Sequence, residues 1–421
     1  MSVFGLIGGS PERSLSPLIH ERLGTADYRV FPMETKEQVI SFLHRRDLGG
    51  VNITMPHKLT AAACCDRLTA GAARAGCVNT VIPLPDGSLL GANTDICGLR
   101  YAAMTAGITL RGAKVLILGS GGGARAAKAM AEQAQAARIV LISRRGEDNY
   151  ANISRYADSE VLINATPVGM YPHNAACPVD IDIFPRLRGV IDLIYDPLRT
   201  ALILQAEDKG IACAGGLPML IAQAKAASAL FHRQSESEPR LRFPDAEIEK
   251  LTADITKAVA NIILIGMPGS GKTVIGKELA ALSGRPFADT DRLIEDSQGV
   301  TCREIILKQG EAVFRQKEAA VVAAVARERG LVIATGGGTV KTAASRLALR
   351  QNGSIYQICR DNHLLAKEGR PLSTGDMAAL AAQRQPIYDS LCQMKIENNA
   401  SPRNAAERIW RDYENSGDKR P

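Results

Sequence analysis

The sequence has few aromatic residues and no long apolar segment. Aromatic residues make up 4% of the 421 residues, whereas glycine and aliphatic residues are plentiful. This composition favours alternating strands and helices over a β-sandwich, so we expect an α/β protein throughout. No window approaches the ~20 apolar residues that a membrane-spanning helix needs. The N-terminus also lacks a basic region followed by an apolar stretch, which would predict export. We therefore expect a soluble, cytoplasmic protein without a membrane partner.

The cysteines lack the spacing of a structural site. Nine are present, an odd number, and no two form a C-x-x-C pair. They indicate reduced thiols, neither a disulfide framework nor a zinc site. The net charge of +7 is spread along the chain rather than gathered in one run. A solvated surface explains it better than a nucleic-acid interface, so we expect small anionic ligands and no nucleic-acid partner. The oligomeric state does not follow from the sequence.

Short apolar segments alternate with helical patterns along the chain. Residues 1 to about 60 follow the order β-α-β-α-β, which predicts parallel strands. A second series starts at KVLILGSGGG and ends at GIACAGG, and a long helix is predicted from Leu217 to about Arg233. A new strand, NIILI, starts at Asn261 directly after another helical pattern. We therefore predict a first lobe at residues 1–98 with helices from about 217–258, a second lobe at 99–216, and a separate domain at 259–421.

The first glycine-rich motif predicts a dinucleotide site. Gly119-Ser-Gly121-Gly122-Gly123-Ala124 lies between the apolar run KVLIL and a helical pattern, and it matches G-x-G-x-x-G/A. Its glycines allow a tight turn and the close approach of a pyrophosphate to the helix N-terminus. A glycine-rich turn that binds no cofactor is the alternative interpretation.

The strand after this turn carries the signal for the type of cofactor. It ends at Ser143-Arg144-Arg145, where an NAD site would offer an acidic residue to the ribose. Arginines there can pair with a 2′-phosphate and stack on adenine, so NADP is favoured; exposed surface arginines are the alternative. Only about 20 residues separate Arg144 from Asn164, so we expect a helix or strand of this lobe to be missing.

The second glycine-rich motif predicts a nucleoside triphosphate site. Gly266-Met-Pro-Gly269-Ser270-Gly271-Lys272-Thr273 follows NIILI and opens a helical pattern, which completes G-x-x-x-x-G-K-S/T. The loop amides can surround phosphates, Lys272 can reach the β- and γ-phosphates, and Thr273 can ligate Mg²⁺. We therefore expect ATP and Mg²⁺ at this motif.

Residues 1–258 resemble the shikimate dehydrogenases. The motifs that carry the resemblance are, in chain order, Ser14-Leu-Ser16-Pro, Asn52-Ile-Thr54-Met-Pro56-His-Lys58, Cys77-Val-Asn79-Thr80, Asn93-Thr94-Asp95, Asn164-Ala-Thr166-Pro-Val-Gly169-Met170, Asp192-Leu-Ile-Tyr195 and Gly216-Leu-Pro-Met219-Leu-Ile-Ala-Gln223. The resemblance implies a substrate lobe followed by a Rossmann lobe that binds NADP. It also implies that Lys58 and Asp95 are catalytic, and that Thr166 and Gly216 lie beside the cofactor. The substrate would then meet Ser14, Ser16, Thr54, Asn79, Tyr195 and Gln223.

This assignment agrees with the chemistry of ketone reduction. The reaction needs a hydride on one face of the ring and a proton for the developing alkoxide, and a Lys-Asp pair can position an ammonium for that transfer. Lys58 alone would be read as an exposed lysine after a turn proline. The Asp95 motif favours the catalytic interpretation.

Residues 261–415 resemble the shikimate kinases. The motifs are Asp289-Thr-Asp291, Phe314-Arg315-Gln-Lys-Glu318, Gly336-Gly337-Gly338, Arg370-Pro371-Leu372 and Arg384-Gln-Pro386-Ile-Tyr388. The resemblance implies a P-loop kinase domain with a parallel sheet, in which Asp289 faces Mg²⁺ and Asp291 faces the acceptor hydroxyl. It places Arg315 and Arg384 at the acceptor carboxylate, Gly337 and Gly338 at its ring hydroxyls, and Arg370 on a lid. Alternatively, Asp291 is a helix N-cap and Arg315 is half of a surface pair with Glu318.

Together the two resemblances imply consecutive reactions. We expect reduction of 3-dehydroshikimate by NADPH, followed by phosphorylation of shikimate by ATP and Mg²⁺. Two alternatives stay open: a quinate/shikimate dehydrogenase that uses NAD, or a regulator that binds metabolites without turnover. The presence of Lys58, Asp95, Lys272 and Asp291 favours the enzyme, because a binding module does not need all four.

Overall fold

The structure is a computed structural model that describes residues 2–9, 13–45, 47–232, 239–361 and 377–415, without the side chains of residues 377 and 378. These residues form two compact units. The first contains the chain up to Asp196 and Leu202–Thr252, and the second contains Pro197–Ala201 and the chain from Ala253. Within the described ranges, no helix is both long and apolar enough to cross a bilayer.

The first unit contains eleven strands in two sheets. The strands are β1 (Val3–Gly8), β2 (Tyr28–Pro32), β3 (Leu48–Ile53), β4 (Arg67–Leu68), β5 (Thr80–Pro83), β6 (Leu89–Ala92), β7 (Lys114–Leu118), β8 (Arg138–Ile142), β9 (Val161–Asn164), β10 (Gly189–Asp192) and β11 (Ala212–Ala214). The helices are α1 (Ser16–Arg22), α2 (Lys36–Leu43), α3 (Lys58–Cys64), α4 (Ala70–Ala75), α5 (Asp95–Thr105), α6 (Gly122–Gln133), α7 (Ala201–Asp208), α8 (Gly216–Phe231) and α9 (Ala246–Val259), with short 3-10 helices η1 (Ile153–Tyr156) and η2 (Ile181–Ile183).

The first sheet is mixed, with strand order β2-β1-β3-β5-β6-β4. The predicted β-α-β-α-β segment is confirmed, because β1 pairs in parallel with β2 and β3. Strand β5 then runs antiparallel to β3 and places Thr80 opposite Asn52. This reversal brings the residues that flank β5 and β6 next to those that follow β3, where the candidate site lies.

The second sheet is parallel throughout, with strand order β11-β10-β9-β7-β8. Successive residues of β7 point to opposite faces. Val115 and Ile117 pack in one hydrophobic cluster, and Leu116 and Leu118 pack in another. Both faces are therefore buried, as a parallel sheet covered by chain on each side requires.

The connection from β8 to β9 is shortened, as the sequence predicts. It contains only the single turn η1 instead of an α-helix. Asparagines hold the preceding loop: the Asn152 side chain accepts from the Asn149 amide at 2.9 Å and donates to the Glu147 carbonyl at 2.9 Å. Hydrogen bonds within the loop therefore hold its backbone where no α-helix forms.

The second unit is a five-stranded parallel sheet with order β13-β14-β12-β15-β16. Its strands are β12 (Asn261–Ile265), β13 (Phe287–Asp289), β14 (Val332–Ala334), β15 (Gly353–Cys359) and β16 (Met394–Glu397). Its helices are α10 (Lys272–Ser283), α11 (Thr290–Gln298), α12 (Cys302–Gln309), α13 (Glu311–Ala326), α14 (Ala343–Asn352), α15 (Met377–Leu391) and α16 (Pro402–Asn415), with the 3-10 helix η3 (Thr339–Lys341). The central strand β12 is fully buried, with alternate residues in two clusters.

The two compact units divide after Thr252, within α9. The domain boundary near residue 259 and the lobe boundaries at 98 and 216 remain predictions.

Candidate functional sites

The structure brings Lys58 and Asp95 together. Lys58 begins α3 and Asp95 begins α5, and the Lys58 Nζ donates to Asp95 Oδ2 at 2.5 Å. A carboxylate at a helix N-terminus is favoured by the helix dipole. Only 15% of the Lys58 side chain and 9% of the Asp95 side chain are exposed. The pair therefore holds an ammonium in a fixed, largely enclosed position.

Asn79 and Gln223 complete a polar network around this pair. The Asn79 amide donates to Asp95 Oδ1 at 2.9 Å and to Gln223 Oε1 at 3.3 Å. Thr94 belongs to the same network: its backbone N–H donates to Asn79 Oδ1 at 2.7 Å, and its hydroxyl donates to Gln223 Oε1 at 3.2 Å. The sequence analysis did not assign Thr94 a role, although it is the central residue of the quoted N-T-D motif.

The other predicted substrate residues lie at the ends of neighbouring elements. The Ser14 hydroxyl donates to Ser16 Oγ at 3.1 Å, where α1 begins. Thr54 follows β3 and donates its backbone N–H to Ile7 O at 2.8 Å. Tyr195 follows β10 and is half-buried. Among the described residues, no hydrogen bond joins Ser14 or Ser16 to the Lys58–Asp95 pair.

The Gly119–Ala124 turn lies directly against Lys58. Gly121 is the N-cap of α6, and the first turn of that helix carries no acidic residue that would oppose an anion. A β-carbon on Gly122 would lie 2.7 Å from Lys58 Cδ, so any larger residue would displace the Lys58 side chain. The helix N-terminus beside a lysine fits the pyrophosphate of a dinucleotide.

Further predicted cofactor residues surround this turn. The Gly119 N–H donates to Ile142 O at 2.8 Å, which places the turn beside the end of β8 and Ser143. Arg144 and Arg145 follow, and both are exposed. The Thr166 hydroxyl donates to Asn164 Oδ1 at 2.7 Å. Gly216 begins α8, and its N–H donates to Ile194 O at 2.9 Å.

The second glycine-rich motif forms a loop between β12 and α10. Gly266, Gly269 and Gly271 have positive φ angles of 142°, 83° and 97°. Lys272 is buried, and its ammonium donates to Gly266 O at 3.0 Å and Met267 O at 2.9 Å. The cation therefore lies over the loop, where phosphates would replace these carbonyls as its partners. The buried Ser270 also lies in the loop, and its carbonyl accepts from the Asn398 side chain at 2.7 Å.

Thr273 and Asp289 supply oxygen atoms beside this loop. The Thr273 hydroxyl donates to Asp289 Oδ2 at 2.7 Å. A hydroxyl and a carboxylate are the ligand types that Mg²⁺ prefers. The residues that the structure describes contain no group of three or more His, Cys, Asp or Glu side chains that could hold a metal. The pair therefore fits a cation that takes its remaining ligands from phosphates and water.

Asp291 is not a helix N-cap. Asp289 takes that position in α11, where its side chain accepts from the N–H groups of Asp291 at 3.1 Å and Arg292 at 3.4 Å. The Asp291 carboxylate instead lies against Gly336, so that a β-carbon there would lie 2.5 Å from Oδ1. Asp291 as a whole is exposed, but protein atoms around its carboxyl group partly desolvate that group. This effect, together with the charge of Asp289, raises the pKa of Asp291 to about 6.

Arg315 does pair with Glu318, but not at the surface. Its Nη1 donates to Glu318 Oε2 at 2.6 Å, and only 12% of the arginine side chain and 1% of the glutamate side chain are exposed. The guanidinium lies over Gly338, where a β-carbon would come within 2.3 Å of Nη2. A side chain at position 338 would therefore displace the guanidinium from this position.

Arg384 and Tyr388 meet the same glycine turn from α15. The Arg384 Nη1 and the Tyr388 hydroxyl donate to Gly337 O at 2.9 and 2.6 Å. Arg384 is 4% exposed, and within the described part of the chain its Nε has no hydrogen-bond partner. A buried donor of this kind fits an anionic ligand.

Glu318 and Tyr388 were given no role by the sequence analysis, although each is the last residue of a quoted motif. In the structure, Glu318 binds Arg315 and Tyr388 binds the Gly337 carbonyl. Arg370 lies outside the described residues.

Two family models match separate parts of the chain. The shikimate dehydrogenase substrate binding domain matches residues 6–81, and shikimate kinase matches residues 268–414. A shikimate dehydrogenase (NADP(+)) from Geobacillus kaustophilus is 37% identical over 251 residues, which cover 52% of this chain and 89% of that relative. A shikimate kinase from Symbiobacterium thermophilum is 40% identical over 148 residues, which cover 32% of this chain and 85% of that relative.

A solved structure agrees with the first of these similarities. It is shikimate 5-dehydrogenase from Thermus thermophilus in complex with NADP(H) and shikimate, with a TM-score of 0.52 and 30% identity. The match covers 60% of this chain and 99% of that one. The chain therefore belongs to the shikimate dehydrogenase family over its N-terminal part and to the shikimate kinase family over its C-terminal part.

Proposed function

We propose that this chain is a bifunctional enzyme of the shikimate pathway. It reduces 3-dehydroshikimate to shikimate with NADPH, and it phosphorylates shikimate with ATP to give shikimate 3-phosphate. The observation that carries the proposal is the presence in one chain of two sets of side chains, one for each step. Lys58 pairs with Asp95 and lies against the Gly122 turn, and Asp291, Arg315 and Arg384 surround a glycine turn in the same unit as the P-loop.

In the dehydrogenase, Lys58 is the proton donor. Its ammonium transfers a proton to the oxygen of the ketone as negative charge develops there. Asp95 keeps this ammonium charged and oriented through the 2.5 Å hydrogen bond. Asn79 holds Asp95, and Gln223 accepts a hydrogen bond from Asn79. Both amides face the ring hydroxyls, and Ser14, Ser16, Thr54 and Tyr195 are the remaining substrate contacts. The Gly119–Ala124 turn, Ser143–Arg145, Thr166 and Gly216 would hold NADPH, which would supply the hydride.

In the kinase, the chain positions an acceptor hydroxyl for in-line transfer. Asp291 accepts the proton of that hydroxyl, and Lys272 contacts the β- and γ-phosphates of ATP. Arg315 and Arg384 bind the acceptor carboxylate, while Gly337 and Gly338 offer backbone groups to its ring hydroxyls. Thr273 and Asp289 would hold Mg²⁺, which would neutralise charge on the phosphates, and Arg370 would stabilise the transferring phosphoryl group.

The proposal assigns these tasks to three parts of the chain. Residues 1–98 with about 217–258 bind the substrate, 99–216 bind NADP, and 259–421 form the kinase. All nine cysteines are free thiols, which supports a reducing cytoplasmic location. The partners of the chain are then its small-molecule substrates.

Assays of both activities in the full chain, with alternative substrates, test this function. The full chain is assayed for oxidation of NADPH and NADH with 3-dehydroshikimate, for oxidation of quinate by NAD⁺ and NADP⁺, and for ADP release from Mg-ATP with shikimate. We expect the NADPH and shikimate reactions to dominate. A preference for NADH and quinate would indicate a quinate/shikimate dehydrogenase, and absence of turnover in both halves would indicate a metabolite-binding regulator.

Arg144→Ala should weaken NADPH much more than NADH. Arg144 is exposed at the end of β8, and the lost guanidinium would meet only the 2′-phosphate that NADH lacks. We expect the KM for NADPH to rise about tenfold or more, and the KM for NADH to stay within about twofold, since a charge-assisted hydrogen bond contributes about 1.5–3 kcal/mol. Arg155→Ala, at another exposed arginine of the same lobe, is the control. Equal weakening of both cofactors would remove Arg144 from 2′-phosphate recognition.

The kinase reaction should lose activity as the pH falls through about 6. Asp291 must be ionised to accept the proton, and desolvation followed by the charge of Asp289 raises its pKa to about 6. Protonation below that pH therefore removes the base. The measurement is kcat/KM for shikimate across pH, with Asp291→Asn as the variant that should lose most turnover. A profile that stays level down to about pH 4.5, near the ordinary aspartate range, would contradict this role.

A further inference from the structure

The Arg315 guanidinium is hydrogen-bonded to two carboxylates of α13, Glu311 and Glu318. Each carboxylate also accepts a hydrogen bond from a residue of η3. Glu318 binds Arg315 Nη1 at 2.6 Å and accepts from the Thr339 hydroxyl at 2.7 Å through its other oxygen. Glu311 Oε1 accepts from Arg315 Nε at 3.2 Å and Nη2 at 3.1 Å. The same oxygen of Glu311 also accepts from Lys341 Nζ at 2.9 Å.

Among the four groups that these hydrogen bonds join, Arg315, Glu311, Glu318 and Lys341, the charges balance only when Lys341 is counted. One guanidinium faces two carboxylates, which leaves one net negative charge. The Lys341 ammonium brings the sum of the four groups to zero. Without Lys341, an acceptor carboxylate that approaches Arg315 would meet an excess of negative charge. Glu311 and Glu318 together carry one negative charge more than the guanidinium neutralises.

We infer that Lys341 is a positioning residue of the acceptor site, because it neutralises Glu311 and thereby leaves Arg315 able to bind a carboxylate. This inference rests on the proposed kinase function. Lys341 lies outside the quoted motifs, and it acts through Glu311 rather than on the reacting atoms. In agreement, hydrogen bonding from Lys341 and then from Arg315 lowers the pKa of Glu311, so both cations favour its charged form.

If the Lys341–Glu311 ion pair only supported the fold, its removal would change the stability of the protein little. The Lys341 and Glu311 side chains are 37% and 38% exposed, and ion pairs of such exposure add little to stability. We therefore expect Lys341→Met to fold normally and to show its effect in acceptor binding. A mutation at this position separates charge balance from structural support better than one at the buried Glu318.

The experiment measures shikimate phosphorylation by the full chain carrying Lys341→Met, Lys341→Arg or Lys308→Met. Lys308 is the matched control, because it pairs with Glu304 at 3.6 Å on the neighbouring helix α12. We expect Lys341→Met to raise the KM for shikimate about three- to tenfold, while the KM for ATP and kcat change by less than about twofold. The other two variants should match the wild type, and added salt should reduce the difference.

A double variant distinguishes charge balance from direct contact. Adding Glu311→Gln to Lys341→Met removes one carboxylate and returns the cluster to a net charge of zero. The KM for shikimate should then recover toward the wild-type value. An unchanged KM in Lys341→Met, an equal rise in both KM values, or no recovery in the double variant would each overturn the inference. A wild-type chain that does not phosphorylate shikimate would instead overturn the proposed function and this inference with it.

Discussion

Lys272→Ala is expected to lower kinase turnover by about 1000-fold or more while dehydrogenase turnover stays within about twofold of wild type. Lys272 is the buried cation of the P-loop, and its ammonium lies over the carbonyls of Gly266 and Met267. Alanine removes the charge that would stabilise the transferring phosphate. The dehydrogenase residues from Ser14 to Gln223 lie in the other compact unit and should not respond.

The products identify which step has stopped. Supplied with 3-dehydroshikimate, NADPH and Mg-ATP, the Lys272→Ala chain should accumulate free shikimate. Lys277→Ala is the matched control, because Lys277 is an exposed lysine of the same helix α10. Loss of both activities in a folded Lys272→Ala chain would show that the two sites depend on each other.

Lys58→Ala is expected to lower dehydrogenase turnover by about 1000-fold while the Kd for NADPH changes by less than about twofold. Lys58 Nζ is placed for proton transfer, and the Lys58 atoms nearest the cofactor turn at Gly122 are its aliphatic Cβ, Cγ and Cδ. The reaction then lacks its proton donor, but the nucleotide keeps its contacts. Stopped-flow reduction and NADPH titration measure the two quantities separately.

The controls for Lys58→Ala address folding and independence. The change leaves the largely buried Asp95 without its cation, so thermal unfolding is recorded in parallel, and Lys58→Met serves as a second variant that keeps the side-chain volume. Lys36→Ala changes an exposed lysine of the same unit. The Lys58→Ala chain should still phosphorylate added shikimate. Reduction of 3-dehydroshikimate near the wild-type rate would remove Lys58 from the mechanism.

The sequence predicted those parts of the fold that depend on local pattern. Both glycine-rich turns occur where an apolar run meets a helical pattern, and both are strand-turn-helix units in the structure. The shortened connection from β8 to β9 followed from counting residues between Arg144 and Asn164. In each case the spacing along the chain was sufficient, because neighbouring residues determine the local structure.

The sequence was less informative where two neighbouring residues could each be the N-cap of the same helix. Asp289 and Asp291 flank Thr290, the first residue of α11, and the sequence alone does not show which carboxylate caps the helix. The structure selects Asp289, because β13 ends there and its extended backbone directs the side chain to the first amides of the helix. That choice leaves Asp291 directed at Gly336.

Contacts between distant residues could not be predicted from one sequence. Tyr388 of α15 donates to the carbonyl of Gly337, and Lys341 of η3 binds Glu311 at the start of α13. No local pattern relates these positions. Likewise, pairing of β5 against β3, rather than another parallel strand, is determined by the packing of the whole lobe.

The central claim is that one chain carries out two consecutive reactions. The most direct measurement supplies the wild-type full chain with 3-dehydroshikimate, NADPH and Mg-ATP, and quantifies NADPH, ADP and shikimate 3-phosphate over time. The account predicts that at completion one ADP and one shikimate 3-phosphate have formed for each NADPH consumed, with shikimate appearing only transiently. Consumption of NADPH that leaves shikimate as the final product, or consumption of neither NADPH nor ATP, would contradict it.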